Sequence, residues 1–419
     1  MDQTKTDNFF YRYIIVAACF SIQAIGIGTY VSYGVFFNQF ISEFGWSRAT
    51  ISGASSAAFL LMGLLSIFVG RLNDRIGPRK VMTVSGFFFG VGLLLMSRLN
   101  AIWQLYLFYG VIVGIGFSSI DVIPLSTTAR WFTKKRGIMT GIVKVGTGAG
   151  QLTVPLAASM LIASYGWRTS YLMIGGVGLV LLVSIAQLLR RDPTQMGLLP
   201  DDRKETAGDN PGLAGGGLSL REALHTRQFW IICGVNLATV FCLMSIIVHI
   251  VPHSQDTGVP AVRAASVLST IGGVSMAGRF ITGIAIDRIG SKRVMMVCFI
   301  LLMVGLLWLQ IANELWMLYV FAVVYGMTHG GFFTAISPIV AEFFGISAHG
   351  VLFGIVIFSG TIGGAIGPVV AGYVFDVTAG YSLAFWLSTL VSSLGLVLIV
   401  ILKPIKEREK EGFFNLSQG

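Results

Sequence analysis

The sequence predicts an all-α membrane protein, with twelve transmembrane helices in two six-helix pseudo-repeats. Three observations predict it. Apolar runs of about 18 residues or more recur along the chain, each long enough to cross a bilayer. Only 11% of the 419 residues are charged, where a soluble protein carries about 25%, and mean hydropathy is +0.79. The second half also repeats landmarks of the first at a fixed offset of 213 residues.

The spans are read as 11–40, 48–70, 81–98, 102–131, 137–163, 167–190, 228–253, 261–287, 292–311, 314–344, 348–376 and 380–403. The connections between them alternate in charge. One side holds 23 of the 29 basic residues, including Arg71, Arg75, Arg79 and Lys80, then Arg130 and Lys134 to Arg136, then Arg288, Lys292 and Arg293. The other side holds only Arg48, Arg98, Arg168 and Arg263. The positive-inside rule then places both termini and the 191–227 loop in the cytoplasm. The chain is expected in the plasma (inner) membrane as a multi-pass protein. The net charge of +10 follows this topology and gives no sign of nucleic-acid binding. Cys19, Cys233, Cys242 and Cys298 fall inside apolar segments, so no disulfide framework is expected. The first apolar segment is too long, and lacks the small-residue site, for a cleavable signal peptide.

Residues 191–227 are rich in Asp, Gly, Pro and Lys and read as a flexible cytoplasmic linker. This divides the chain into an N-terminal bundle (1–190), the linker (191–227) and a C-terminal bundle (228–419). The stretch LREALHTRQFW (220–230) suits a short interfacial helix.

The repeat is clearest in GRLNDRIGPRKVM (70–82) and GIAIDRIGSKRVM (283–295). The same offset pairs Gly137 with Gly350, Gly150 with Gly363 and Pro155 with Pro368. Six spans duplicated in one orientation form a transporter architecture, whose substrate site lies near the midplane between the repeats. Symmetry breaks at Arg279 against Ser66, Asp121 against Thr334, Lys144 against Ile357 and His329 against Gly116. Packing residues survive duplication more readily than residues serving one ligand, so these asymmetric polar positions are the site candidates.

Arg279 is the foremost. It stands alone in VSMAGRFITGIAI, eight residues before Asp287, so about 12 Å of helix separates it from the charged end. That depth is near the midplane of a 30 Å hydrocarbon core, where an arginine costs roughly 2.5–3.5 kcal/mol on the gentlest scale. A guanidinium that binds a carboxylate through two parallel hydrogen bonds gives such a cation a purpose. The alternatives are a structural ion pair or snorkelling. The residue is too deep to snorkel easily, and no acid lies within a turn of it on its own span.

The loop pattern G-x-x-x-D-R-x-G-x-R-[RK], its echo between spans 8 and 9, and the 6+6 layout resemble the major facilitator superfamily. Within it, GRFITGIAIDRIG, RWFTKKRGIMTGI (130–142), YGWRTSYLMIGG (165–176) and ISPIVAEFFG (336–345) resemble the monocarboxylate transporters, their bacterial lactate-transporting homologues and the related oxalate:formate exchangers. The resemblance implies that Arg279 binds the substrate carboxylate, that the halves alternate access, and that Asp74, Arg75, Asp287 and Arg288 form a conformational latch. Where mammalian-type members have an aspartate one turn before the arginine, this chain has Ser275. Val31 stands at their first-span lysine. The second site lysine of the oxalate exchangers is Val356 here. Asp121, Thr147 and Thr334 fall where the exchangers have site aromatics.

Further candidates for the cavity lining are Tyr30, Phe117, Thr147, Phe333, Thr334, Phe358 and Ser359, each of which could equally be a packing residue. Candidates for proton coupling are Asp121, His329, His249 and Lys144. Asp121 is either a proton acceptor or the partner of a cation such as Lys144. Lys144, about 10 Å into span 5, is expected to snorkel to the cytoplasmic face more readily than to bind substrate. The histidines are either titrating groups or donors to a carbonyl, and His253 is expected at the outer surface. The glycines of spans 5 and 11 are read as allowing close helix approach.

One deep cation favours a monovalent anion, such as L-lactate or pyruvate. An anion moving alone works against a negative interior at roughly 2.3 kcal/mol per charge per 100 mV, which favours symport with a proton. The expectation is a secondary active transporter of short monocarboxylates, with a monocarboxylate anion, a proton and the bilayer as partners. It is expected to act as a monomer, without a cofactor or metal. An organic-anion exchanger of the oxalate:formate kind and a transporter-fold membrane sensor are the alternatives. No nucleophile motif, phosphate loop or metal cluster suggests an enzyme.

Overall fold

The computed structural model describes residues 3–196 and 217–403. Residues 197–216, the centre of the expected linker, lie outside the described residues, as do 404–419. The chain divides into two compact units, Met1–Ala207 and Gly208–Gly419.

The first unit begins with α1 (Gln3–Ser32), which continues through a 3-10 turn, Tyr33–Phe36, into α2 (Phe37–Phe44). Next come α3 (Arg48–Ile76) and α4 (Pro78–Met96). The fourth crossing, Ile102–Trp131, is built of α5 (Ile102–Leu105), a π-helical stretch Tyr106–Val113, α6 (Gly114–Phe117) and α7 (Ser119–Trp131). Last is α8 (Arg136–Leu188). At 1.5 Å per residue its 53 residues far exceed a bilayer, and it breaks at Gly166 (φ 76°, ψ 162°) into the fifth and sixth crossings.

The second unit opens with the short α9 (Leu220–Leu224), whose capping box joins Ser219 and Glu222. Of the stretch 220–230 expected to form a short helix, only Leu220–Leu224 does so; from Arg227 on it belongs to the next long helix. Then follow α10 (Arg227–Asp256), α11 (Ala261–Ile289), α12 (Ser291–Leu309), α13 (Leu315–Phe344), α14 (His349–Thr378) and α15 (Ser382–Ile401). With α8 counted as two, the eleven long apolar helices among the described residues give the twelve expected crossings.

The charged motif between the second and third crossings is not the loop the sequence suggested. Asp74 and Arg75 lie in the last turn of α3, and Asp287 and Arg288 in the last turn of α11. Each connection is one glycine, Gly77 (φ 87°, ψ 163°) or Gly290 (φ 84°, ψ 154°). That backbone region is open to glycine and strained for other residues, which explains why both positions repeat it.

Helix packing rests on backbone contact at glycines. A Cβ on Gly150 of α8 would fall 1.9 Å from the Ala24 carbonyl of α1. In the second unit a Cβ on Gly363 of α14 would fall 2.2 Å from the Leu237 carbonyl of α10. One end of the first unit is tied by Glu43, which accepts from Trp167 Nε1 at 2.7 Å and from Arg168 at 2.5 Å. The Arg168 hydrogen bond holds the Glu43 carboxyl below its usual range, with Trp167 adding to the effect. The same place in the second unit holds Asp256 and Tyr381. Burial first, then the negative charges of Asp256 and Asp376, raise the Tyr381 phenol.

Candidate functional site

Each unit holds a buried polar cluster among its described residues. In the second unit Arg279 is 3% exposed on α11. Its helix meets α13 backbone to backbone. A Cβ on Gly330 would lie 2.2 Å from the Ser275 carbonyl oxygen and 2.8 Å from the Arg279 nitrogen, and one on Gly278 would lie 2.7 Å from the Met327 carbonyl oxygen. This contact brings His329 of α13 against α11, where its Nδ1 is hydrogen-bonded to Ser275 Oγ at 2.9 Å. Phe333 sits one turn on, its ring edge-on to His329 at 5.1 Å. Arg279, Ser275, His329 and Phe333 therefore gather where α11 and α13 touch. The family's aspartate position is filled by a serine that engages a histidine from the neighbouring helix.

In the first unit Lys144 of α8 is 4% exposed, and its Nζ donates to Asp121 Oδ1 at 2.5 Å. This corrects the expectation of snorkelling. A basic side chain that finds a carboxylate on the adjacent helix has no need to stretch toward water. Asp121 is thus the partner of Lys144, one of its two expected roles. Gln23 of α1, fully buried, completes the cluster. Its Nε2 donates to Asp121 Oδ1 at 2.8 Å and to the Ile120 carbonyl at 2.7 Å, and its Oε1 accepts from Thr147 Oγ1 at 2.7 Å. Sequence reading missed Gln23 because an uncharged amide in an apolar run attracts no notice. Its signal was the 213-residue offset, which pairs it with another carboxamide, Asn236.

Other candidates are held by local structure. Tyr30 stacks on Phe117 at 4.3 Å, and its hydroxyl donates to the Ser55 carbonyl. Thr334 is buried and donates to the Gly330 carbonyl of its own helix. Ser359 donates to the Cys233 and Val356 carbonyls, while the neighbouring Phe358 is half-buried. His249 Nε2 lies 2.9 Å from the Pro368 carbonyl and Nδ1 lies 3.1 Å from the Tyr381 hydroxyl. Since a carbonyl only accepts, Nε2 carries the proton. This is the carbonyl-bonded role weighed for the histidines. His253 packs edge-on against Tyr381 and Phe385.

Of the latch residues, Asp74 accepts from Arg130 Nη2 at 2.6 Å, and Arg130 Nη1 lies 3.6 Å from Asp192. Arg75, Asp287 and Arg288 are exposed.

The family model for the Major Facilitator Superfamily matches residues 16–285 and 254–416. Monocarboxylate transporter 13 of Rattus norvegicus is 27% identical over 91% of this chain and 87% of its own length. Monocarboxylate transporter 11 of Homo sapiens is 27% identical over 90% of this chain and 80% of its own. Among solved structures, the transporter FucP in its outward conformation covers 94% of this chain and all of its own, with TM-score 0.71 and 15% identity. The human organic anion transporter MFSD10 covers 93% of this chain and 99% of its own, with TM-score 0.71 and 14% identity. These structural likenesses carry the fold.

Proposed function

We propose, from the premise that this chain belongs to the Major Facilitator Superfamily and is a transporter rather than an enzyme, that it carries short monocarboxylates such as L-lactate or pyruvate by proton symport. The observation that carries the reading is Arg279, an arginine 3% exposed on a membrane-crossing helix, next to the Ser275–His329 pair. A guanidinium stays charged at every physiological pH, so it can bind a carboxylate but cannot carry the proton. The charge count supports a single-carboxylate substrate. Lys144, also buried, is engaged by Asp121, and the reading assigns the substrate carboxylate to Arg279. The names of the related monocarboxylate transporters point the same way.

The proton then belongs on a group that titrates. His329 bonds the serine one turn from Arg279, and Asp121 keeps 26% of its side-chain surface exposed, so both are suited to exchange protons. His249 is engaged at both ring nitrogens and serves packing between α10 and α14. Phe333 and Phe358 would contribute apolar surface to a substrate methyl group, and Thr147, tied to Gln23, is a further proposed lining residue. In the proposed cycle the halves rock around the site as a functional monomer, in a plasma membrane with both termini cytoplasmic. Asp74, Arg75, Asp287 and Arg288 act as the latch, and the Arg130–Asp74 pair sets the position of one end.

The test is uptake of labelled lactate into proteoliposomes under an imposed pH gradient, without internal anion. Accumulation by the native protein is expected, with at least a hundredfold loss in Arg279→Gln, as when a charge-assisted bidentate contact is removed. Retained uptake in Arg279→Gln would overturn the site. Flux that requires an internal anion would make the protein an exchanger.

A further inference from the structure

The outside of the first unit carries a groove of about 680 Å³ between α3 and α4. Its walls are Leu65, Phe68 and Leu72 from α3 and Val84 and Phe88 from α4, with Ile115 behind them. Phe68 is 64% exposed and Val84 57%. The groove exists because α4 uses its small residues on other neighbours. A Cβ on Gly90 would lie 2.4 Å from Leu179 Cβ, and one on Gly86 3.1 Å from Leu182 Cβ, so those faces are pressed onto α8. A Cβ on Gly116 would lie 2.4 Å from the Phe89 nitrogen, so α6 is pressed onto α4 in the same sense. The bulky side chains of α4 are left facing α3, and between them the helices enclose an apolar channel.

The end of the channel near Gly77 is basic. Arg79 Nε donates to Gln187 Oε1 at 2.8 Å, and Gln187 Nε2 donates to Thr83 Oγ1 at 3.0 Å, so the guanidinium is anchored at the rim. Lys80 lies beside it, exposed. Among the described residues no carboxylate pairs with either cation. The second unit treats the matching cation differently. Lys292, 213 residues after Arg79, donates to the Val400 and Leu402 carbonyls at 3.0 and 2.6 Å and closes the end of α15.

We propose that this groove binds an anionic glycerophospholipid from the leaflet on the basic side of the membrane. One acyl chain lies between α3 and α4, and the phosphate sits on Arg79 and Lys80. An apolar cleft at membrane depth does not hold water, so hydrocarbon fills it. Its volume is in the range that encloses a drug-sized ligand, enough for one acyl chain. A guanidinium held by its Nε presents its two terminal nitrogens together, the arrangement that grips two phosphate oxygens. A zwitterionic headgroup would forgo part of this attraction, since its own cation competes for the phosphate.

The experiment is native mass spectrometry of the purified full-length protein in detergent, titrated separately with phosphatidylglycerol and phosphatidylcholine of the same acyl chains. The native protein is expected to prefer phosphatidylglycerol about thirtyfold, the attraction of two basic residues near a membrane surface. Arg79→Gln/Lys80→Gln is expected to bring that ratio near one while keeping chain binding. Val84→Trp fills the groove and should weaken both lipids. Val84 faces outward, so the fold should tolerate the change, and Leu72→Trp fills the same space from α3. Equal binding of the two lipids by the native protein would overturn the proposal, as would a preference that survives the double substitution. Undiminished binding in both tryptophan variants would show contact with the basic rim alone, and would overturn it too.

Discussion

Superimposed by their 213-residue offset, the two units agree in backbone contacts and disagree in polar chemistry. Gly150 meets the Ala24 carbonyl in the first unit, and Gly363 meets the Leu237 carbonyl in the second. Gly146 meets the Phe20 carbonyl, and its counterpart Ser359 reaches the matching carbonyl, Cys233, through a hydroxyl instead. The polar clusters show no such agreement. The first unit places Gln23, Asp121, Lys144 and Thr147 across α1, α7 and α8, where the second has Asn236, Thr334, Ile357 and Gly360. The second places Ser275, Arg279 and His329 on α11 and α13, where the first has Met62, Ser66 and Gly116. Ser66 only donates to the carbonyl of Gly63 in its own helix. Helix packing is therefore a property of the repeat, and the polar clusters are properties of the individual halves.

The comparison is broken most severely at the shared contacts. Gly150→Leu and Gly363→Leu each force a side chain into a carbonyl, so both should abolish folded protein alike, read as loss of the monodisperse peak on size exclusion. If one is tolerated, the two packings are not equivalent. A smaller effect is expected from giving the first unit the second unit's residues. Lys144→Ile leaves Asp121 without its cation and should lower stability by roughly 2–4 kcal/mol, because the carboxylate stays partly exposed. Asp121→Thr/Lys144→Ile should recover most of that loss in melting temperature. Uptake in the double variant then separates a structural pair, which leaves flux intact, from a coupling pair, which does not. The smallest effect is expected at Ser359→Gly, which copies Gly146 and removes the hydroxyl shared between the Cys233 and Val356 carbonyls. A cost of about 1 kcal/mol is expected from thermal melts, with transport unchanged.

Much of this was legible in the sequence because hydrophobicity and repetition are written one residue at a time. Arg279 stood out as a charge in an apolar run, and the span count followed from length. What was not legible depends on neighbours brought in by folding. Pairing with Lys144 was one of two roles open to Asp121, but with the two on different helices the sequence did not decide between that pair and a lysine reaching toward water. Ser275 read as a departure from the family until its hydroxyl was found bonded to His329. The π-helical stretch Tyr106–Val113 had no signal in its apolar run. The charged ends at Asp74 and Asp287 were taken for loops because charge in a membrane protein usually marks water, whereas here the helix itself extends past the apolar run.

The one-residue joints have a mechanical consequence. A peptide chain bends only at its φ and ψ angles, so α3 and α4 can change their mutual angle through little more than the two dihedrals of Gly77. Pro78 follows directly and locks its own φ, which makes the first joint stiff through covalent structure. The second joint has Ser291 in that place, with its N–H and hydroxyl both held by the Glu342 carboxylate. Its stiffness comes from hydrogen bonds that can open and re-form. Of two hinges with the same shape, one is built to stay set and the other has a clasp.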